Sequence, residues 1–235
     1  MLTIPKILDT PEFYDAPLDY KWDEKASDFY SVDAEKPKLE NTLDKLNYKA
    51  AFGIATALCE WIYWRMHKYI DKPGIPLALE AQWAGLINKH YFYCWSYEGD
   101  YISDPIYGPT YSMWQCVQFI TYNYEQNNFC TNDDICRLAI IARHICPDKK
   151  FFDNWLSDAL KKSTKLFLYK ETVEEPIILK QFFFEDDYNY QTADNIKIIN
   201  NFLSTLEYKK NNFLNSPEKM LELNFQGTPY KYELK

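Results

Sequence analysis

Histidine is the side chain best suited to acid–base chemistry near neutral pH, and this 235-residue chain has three of them. His67 follows Glu60 by seven residues, so on a helix both would share one face and could form a metal-binding or acid–base pair. Because aromatic residues surround Glu60 and His67, an ion pair at the edge of the core is favoured over a metal site. We interpret His90 and Glu80 in the same way. His144 is near a predicted helix C-terminus, where a cationic side chain stabilises the helix dipole. No catalytic histidine is therefore predicted.

Motifs for metals, phosphates and cofactors are missing or incomplete. Asp133 and Asp134 begin a stretch that resembles the DDxxD motif of helical prenyl-diphosphate enzymes, but Arg137 occupies the place of the final acid. With only six glycines the chain has no glycine-rich phosphate loop, and its six cysteines form no C-x-x-C pair. We predict no catalytic residue, no metal site and no cofactor. Nucleic acid is not expected as a partner, because Lys and Arg are not clustered.

Apolar residues recur at steps of three and four from about residue 39 onward, which predicts helices. One long helix is expected up to the turn at Asp71, a later helix is expected over residues 111–125, and another begins at Thr192. Residues 176–184 are only a weak strand candidate. The sequence thus predicts an all-α fold, a single-domain irregular bundle of six to seven helices over residues 39–235. Residues 1–38, with four prolines, are predicted to form an extended acidic arm on the bundle.

Negative charge is concentrated in three predicted non-helical segments. The whole chain has 34 acidic and 26 basic residues, a net charge of −8. Residues 1–38, 95–112 and 171–190 carry net charges of −4, −3 and −5, whereas the rest of the chain is at +4. Each segment also contains aromatic residues, which are enriched at protein interfaces, and carboxylates attract cationic partners. Together they favour a surface that binds a basic protein.

The predicted contact residues come from two of these segments. The first group, in a loop with no Lys or Arg, comprises Tyr97, Glu98, Asp100, Tyr101, Asp104 and Tyr107. The second group comprises Glu185, Asp186 and Asp187, which follow the aromatic residues Phe182, Phe183 and Phe184.

A helical, acidic chain with few catalytic groups and with acidic, aromatic loops resembles the immunity proteins that protect bacteria from polymorphic or contact-delivered toxins. The likeness is one of general character and carries over no site residue. It implies a noncatalytic inhibitor that binds a basic toxin domain in the cytosol. The chain has no apolar run long enough to span a membrane and no secretory signal at its start, so we expect a cytoplasmic protein without membrane contact.

Two other classes of function remain open. The first is a helical enzyme or small-ligand carrier with an aromatic pocket formed by Trp61, Trp64, Trp83, Trp114 and Trp155. The second is an adaptor or scaffold protein, and a homodimer is compatible with this class.

Overall fold

The computed structural model describes residues 2–23, 36–94, 103–126, 128, 131–169 and 176–233. This part of the chain contains ten α-helices, of which six have eleven or more residues. In chain order they are α1 (Pro11–Tyr14), α2 (Pro37–Leu43), α3 (Tyr48–Met66), α4 (Gly74–Ile87), α5 (Tyr107–Glu125), α6 (Asn132–Ile145), α7 (Lys149–Leu166), α8 (Lys180–Phe184), α9 (Asn195–Thr205) and α10 (Pro217–Glu222).

The all-α prediction is confirmed. The described residues form no sheet, and their only β-type pairings are two isolated antiparallel bridges, Leu46 with Leu168 and Phe92 with Leu214. No helix in these described ranges is both long enough and apolar enough to cross a membrane.

Helix α3 is the centre of the bundle. Of its nineteen residues only Tyr63 is not buried, and the buried residues include the charged Lys49, Glu60 and Arg65. It packs against α1 and against each of α4 to α8. These six helices are therefore positioned in part by their contacts with α3, whereas α2 packs against α6.

The prediction of one continuous helix before Asp71 is wrong, because this part of the chain forms two helices, α2 and α3. Asn47 caps α3, its side-chain oxygen accepting the Ala50 N–H at 2.8 Å. The Asn47 N–H in turn donates to the Phe167 carbonyl oxygen at 2.9 Å, which ties the break to the end of α7.

Two other expectations are corrected. Residues 176–184 form no strand, because their second half is α8, whose three phenylalanines pack into the core. Helix α9 begins at Asn195 and not at Thr192, because the Asp194 side chain caps it by accepting the Lys197 N–H at 3.1 Å.

The described part of the N-terminal segment lies against the C-terminal half of α3. The Phe13 ring meets Trp61 edge-on, with 5.3 Å between ring centroids. The buried Arg65 guanidinium donates to the carbonyl oxygens of Ala16 at 2.8 Å and Pro17 at 2.9 Å. These contacts fix the path of the chain toward the site described next.

Candidate functional site

A groove lies between the α3–α4 turn and the first two turns of α5. The turn contributes residues 71–75, and α5 contributes Tyr107, Thr110, Tyr111 and Trp114. These four are spaced as i, i+3, i+4 and i+7, so they share one face of the helix. The cavity has a volume of about 510 Å³. We call it the aromatic groove.

Asp104 positions the start of α5. Its Oδ1 accepts the N–H groups of Ile106 and Tyr107, each at 2.8 Å, and its carbonyl oxygen accepts the N–H of Gly108, also at 2.8 Å. The helix therefore begins at Tyr107, four residues before the predicted start at 111. Pro109 is tolerated there, because the first turn of a helix needs few N–H donors.

The N-terminal segment supports the groove from behind. The Tyr20 hydroxyl donates to the Pro105 carbonyl oxygen and lies 3.5 Å from Met66 Sδ. Burial raises the pKa of Tyr20, so this hydroxyl stays a neutral donor at neutral pH. The Trp22 ring packs directly on Gly108, where any Cβ would collide with it. The groove wall thus depends on residues 20–22.

The groove combines buried aromatic walls with a charged rim. Tyr111 and Trp114 are 6% and 9% exposed, whereas Tyr107 is 39% exposed. Asp71 and Lys72 are exposed on the opposite wall. Aromatic faces attract ammonium and guanidinium groups, and Asp71 can pair with such a cation.

The structure places the predicted contact residues in separate regions. Tyr107 lines the aromatic groove, and Asp104 lies beside it as the cap of α5. The second group is exposed just after α8 and comprises Glu185, Asp186 and Asp187. Four predicted contacts lie outside the described residues, namely Tyr97, Glu98, Asp100 and Tyr101.

The two described groups are attached to different sides of α3. The Tyr20 hydroxyl contacts both Pro105, in the loop of the first group, and Met66, at the end of α3. Phe183, just before the second group, packs on Gly53 of α3, where its ring lies 3.0 Å from the position that a Cβ on Gly53 would take. Thirteen residues of helix separate Gly53 from Met66, which corresponds to about 20 Å along the axis and about 140° around it. The described acids therefore do not form one continuous cluster.

Several aromatic residues expected at the surface are part of the core. Phe182, Phe183 and Phe184 are each no more than 4% exposed, and Trp22 and Tyr111 are also buried. Phe183 fills the space left by Gly53, and the Trp155 indole donates to the Phe183 carbonyl oxygen at 2.8 Å. Within residues 182–187, the carboxylates of Glu185, Asp186 and Asp187 are therefore exposed for contact with a partner, whereas the three phenylalanines are not.

The pKa of Glu185 is raised, first by its burial and then by the neighbouring Asp187 carboxylate.

A buried carboxylate lies at the middle of α3. Glu60 is fully buried, and its oxygens accept the indole N–H of Trp64 at 2.7 Å and of Trp83 at 2.6 Å. The Lys180 ammonium donates to Glu60 Oε2 at 2.7 Å and to the Thr3 carbonyl oxygen at 2.6 Å. This network joins α3, α4, α8 and the N-terminal segment.

Lys180 also lines a second cavity, of about 360 Å³. Its apolar wall includes Trp83, Ile87, Leu179 and Phe202. We call this cavity the lysine cleft.

Sequence reasoning does not identify Lys180 as the partner of Glu60. A glutamate inside an apolar helix needs a cation, and this was the available signal. The sequence spacing favours His67 as this cation, but His67 Nδ1 lies 2.6 Å from the Trp64 carbonyl oxygen. Lys180 is 120 residues away in sequence.

The predicted pairing of Glu80 with His90 is also wrong. His90 Nδ1 contacts the Asn88 side-chain oxygen at 2.8 Å, and Glu80 Oε2 accepts a hydrogen bond from Asn211 at 3.2 Å. Burial lowers the pKa of His90.

The five tryptophans proposed for an aromatic pocket do not surround one cavity. Trp61 and Trp155 pack on each other, with ring centroids 5.0 Å apart, and both also contact Phe152. Trp83 lines the lysine cleft, whereas Trp114 lines the aromatic groove.

Within the described ranges, no group of three or more His, Cys, Asp and Glu side chains could hold a metal ion. No protein family, curated protein or solved structure matches this chain.

Proposed function

We propose that this protein is a noncatalytic inhibitor, an immunity protein that neutralises a basic toxin domain acting in the cytosol. The aromatic groove receives a lysine or arginine side chain of that domain. The observation that carries the proposal is Tyr107, which is exposed on the groove wall. Asp104 accepts the backbone N–H of Tyr107, and Asp71 lines the other wall of the groove.

The groove supplies the two features that a cationic anchor requires. The rings of Tyr107, Tyr111 and Trp114 provide an apolar wall, and a cation over such a ring gains roughly 0.5–2 kcal/mol. The Asp71 carboxylate can neutralise the same cation. Central aromatic pockets of this kind contribute most of the binding energy in many interfaces.

Long-range attraction adds to the local contacts. Residues 95–112 contain three acids and no base, and this segment leads directly into the groove wall. Acidic segments speed the approach of a basic partner and disfavour polyanions such as nucleic acids. Glu185, Asp186 and Asp187 contribute to this field from a separate region, and the proposal gives them no role in the groove.

The test is co-purification with the basic C-terminal domain of a secreted protein encoded beside this one. The proposal predicts a one-to-one complex whose affinity falls as salt increases, because screening weakens steering between exposed charges. Asp71→Lys should weaken capture strongly. Asp158→Lys is the matched control, because Asp158 is exposed on α7 and outside the groove. The proposal would be refuted if no complex formed with the basic domain encoded by the adjacent gene. It would also be refuted if Asp71→Lys and Asp158→Lys weakened capture of that domain equally.

A further inference from the structure

The lysine cleft has the composition of a small-molecule site. Its volume of about 360 Å³ is within the range of roughly 300–1,000 Å³ that ligand pockets occupy. The wall formed by Trp83, Ile87, Leu179 and Phe202 is apolar, and Asn201 and Thr205 are exposed at its edge. Apolar walls with a few polar groups are typical of sites that orient a ligand.

Lys180 is held rigidly at the wall of the cleft. An ammonium has three N–H donors, and two of them are used by Glu60 Oε2 and by the Thr3 carbonyl oxygen. The Lys180 side chain is 20% exposed, whereas Glu60 is 0% exposed. One donor of the ammonium thus remains for an occupant of the cleft.

The charges around Lys180 select the kind of acceptor. The buried Glu60 carboxylate already balances the charge of the Lys180 ammonium. An anionic ligand would therefore bring a charge that the already neutralised Lys180 does not balance. A neutral carbonyl oxygen can accept from Lys180 without adding a negative charge to this buried region.

A primary amide satisfies the remaining polar groups. Its N–H groups need acceptors, and three residues of the same lining, Gln181, Asn201 and Thr205, carry side-chain oxygens that can accept. An apolar substituent on the amide would cover Trp83 and Phe202.

We propose that the lysine cleft binds a small uncharged carboxamide with an apolar substituent, its carbonyl oxygen accepting from Lys180. This site lies apart from the aromatic groove and does not depend on the proposed inhibitor function.

Three probes of nearly equal size test the ligand class by isothermal titration calorimetry. They are 4-methylpentanamide, 4-methylpentanoate and 4-methylpentan-1-amine, which place a neutral, an anionic and a cationic group on one apolar chain. The carboxamide should bind at least about tenfold more tightly than either charged probe, because each of these brings an uncompensated charge. Equal or tighter binding of the carboxylate or the amine, or no binding of any probe, would overturn the proposal.

Two variants of α9 test the location. Thr205→Trp fills the cleft edge and should abolish carboxamide binding. Ser204→Trp is the matched control, because each hydroxyl donates to the carbonyl oxygen three residues earlier at 2.7 Å, yet only Thr205 lines the cleft. Binding that survives Thr205→Trp, or that is lost equally in Ser204→Trp, would contradict the assignment. Capture of a basic partner should be unchanged in both variants, which separates the two proposals.

Discussion

The Lys180 ammonium lies 2.7 Å from Glu60 Oε2, so the first residue of the five-residue helix α8 neutralises the buried carboxylate of the central helix. Trp64 and Trp83 complete the coordination of this carboxylate through their indole N–H groups. The packing of α3, α4 and α8 therefore depends on one electrostatic centre.

Removing the cation alone should destabilise the protein strongly. Lys180→Met leaves Glu60 buried without its counter-ion, and such losses cost about 3–5 kcal/mol in free energy of unfolding. The double variant Lys180→Met/Glu60→Gln removes both charges and keeps an acceptor for an indole. It should be more stable than the sum of the single variants predicts, by at least about 1 kcal/mol. Urea denaturation of all four proteins measures this coupling, and strict additivity would show that the pair is not coupled.

The contact between Trp22 and Gly108 should be essential for the position of the N-terminal segment. Gly108→Ala places a methyl group inside the Trp22 ring, which must move away at a cost of about 1–3 kcal/mol. Gly74→Ala is the control, because its nearest neighbour, the Phe213 ring, is 3.7 Å from the added carbon. Urea denaturation should show a loss for Gly108→Ala and little change for Gly74→Ala. Equal stabilities of the two variants would contradict this packing.

Asp104 should act mainly through its hydrogen bonds, and its charge should add only a small part of the attraction for the partner. Asp104→Ala removes the cap of α5 and should cost about 1 kcal/mol, whereas Asp104→Asn keeps an acceptor oxygen. Partner affinity should fall in the alanine variant, because Tyr107 loses its support, and should be largely retained in the asparagine variant. An asparagine variant that binds as weakly as alanine would instead indicate that the carboxylate itself contacts the partner.

Stability should decrease in alkaline solution because of the buried thiols. Burial raises the pKa of Cys116 from 9.0 to about 12. The neutral thiol therefore favours the folded state fully below pH 9, and this contribution is lost as the pH rises from 9 toward 12. Between pH 9 and 10, Cys116 should account for about 1 kcal/mol of the lost unfolding free energy. Urea denaturation at both pH values should show a smaller decrease for Cys116→Ala, and an unchanged decrease would contradict this origin.

Local signals in the sequence were sufficient for most helices. Asp148 and Ser216 are of residue types that favour helix N-termini, and their side chains accept the Phe151 and Lys219 N–H groups at 2.9 and 3.2 Å. Capping is a short-range interaction, so it can be inferred from neighbouring residues. The cap at Asn47 was missed because the apolar period continues across it and conceals the break between α2 and α3.

The candidate sites depended on contacts that local patterns do not contain. The burial of Phe183 follows from Gly53, and the position of Tyr107 follows from Tyr20 and Asp104. Composition indicated which segments are acidic and aromatic, but it could not distinguish rings that line a groove from rings that fill the core.

The most direct test of the proposed function compares two exposed tyrosines of α5 as alanine variants. Tyr107 lines the aromatic groove, whereas Tyr122, 53% exposed, lies fifteen residues further along the same helix. The dissociation constant of each variant and of the unmodified protein for the basic domain encoded by the adjacent gene should be measured by calorimetry. Tyr107→Ala should weaken binding by at least about 30-fold, as expected for a central aromatic anchor, and Tyr122→Ala should bind like the unmodified protein. Equal affinities of Tyr107→Ala and the unmodified protein would contradict a partner-binding groove.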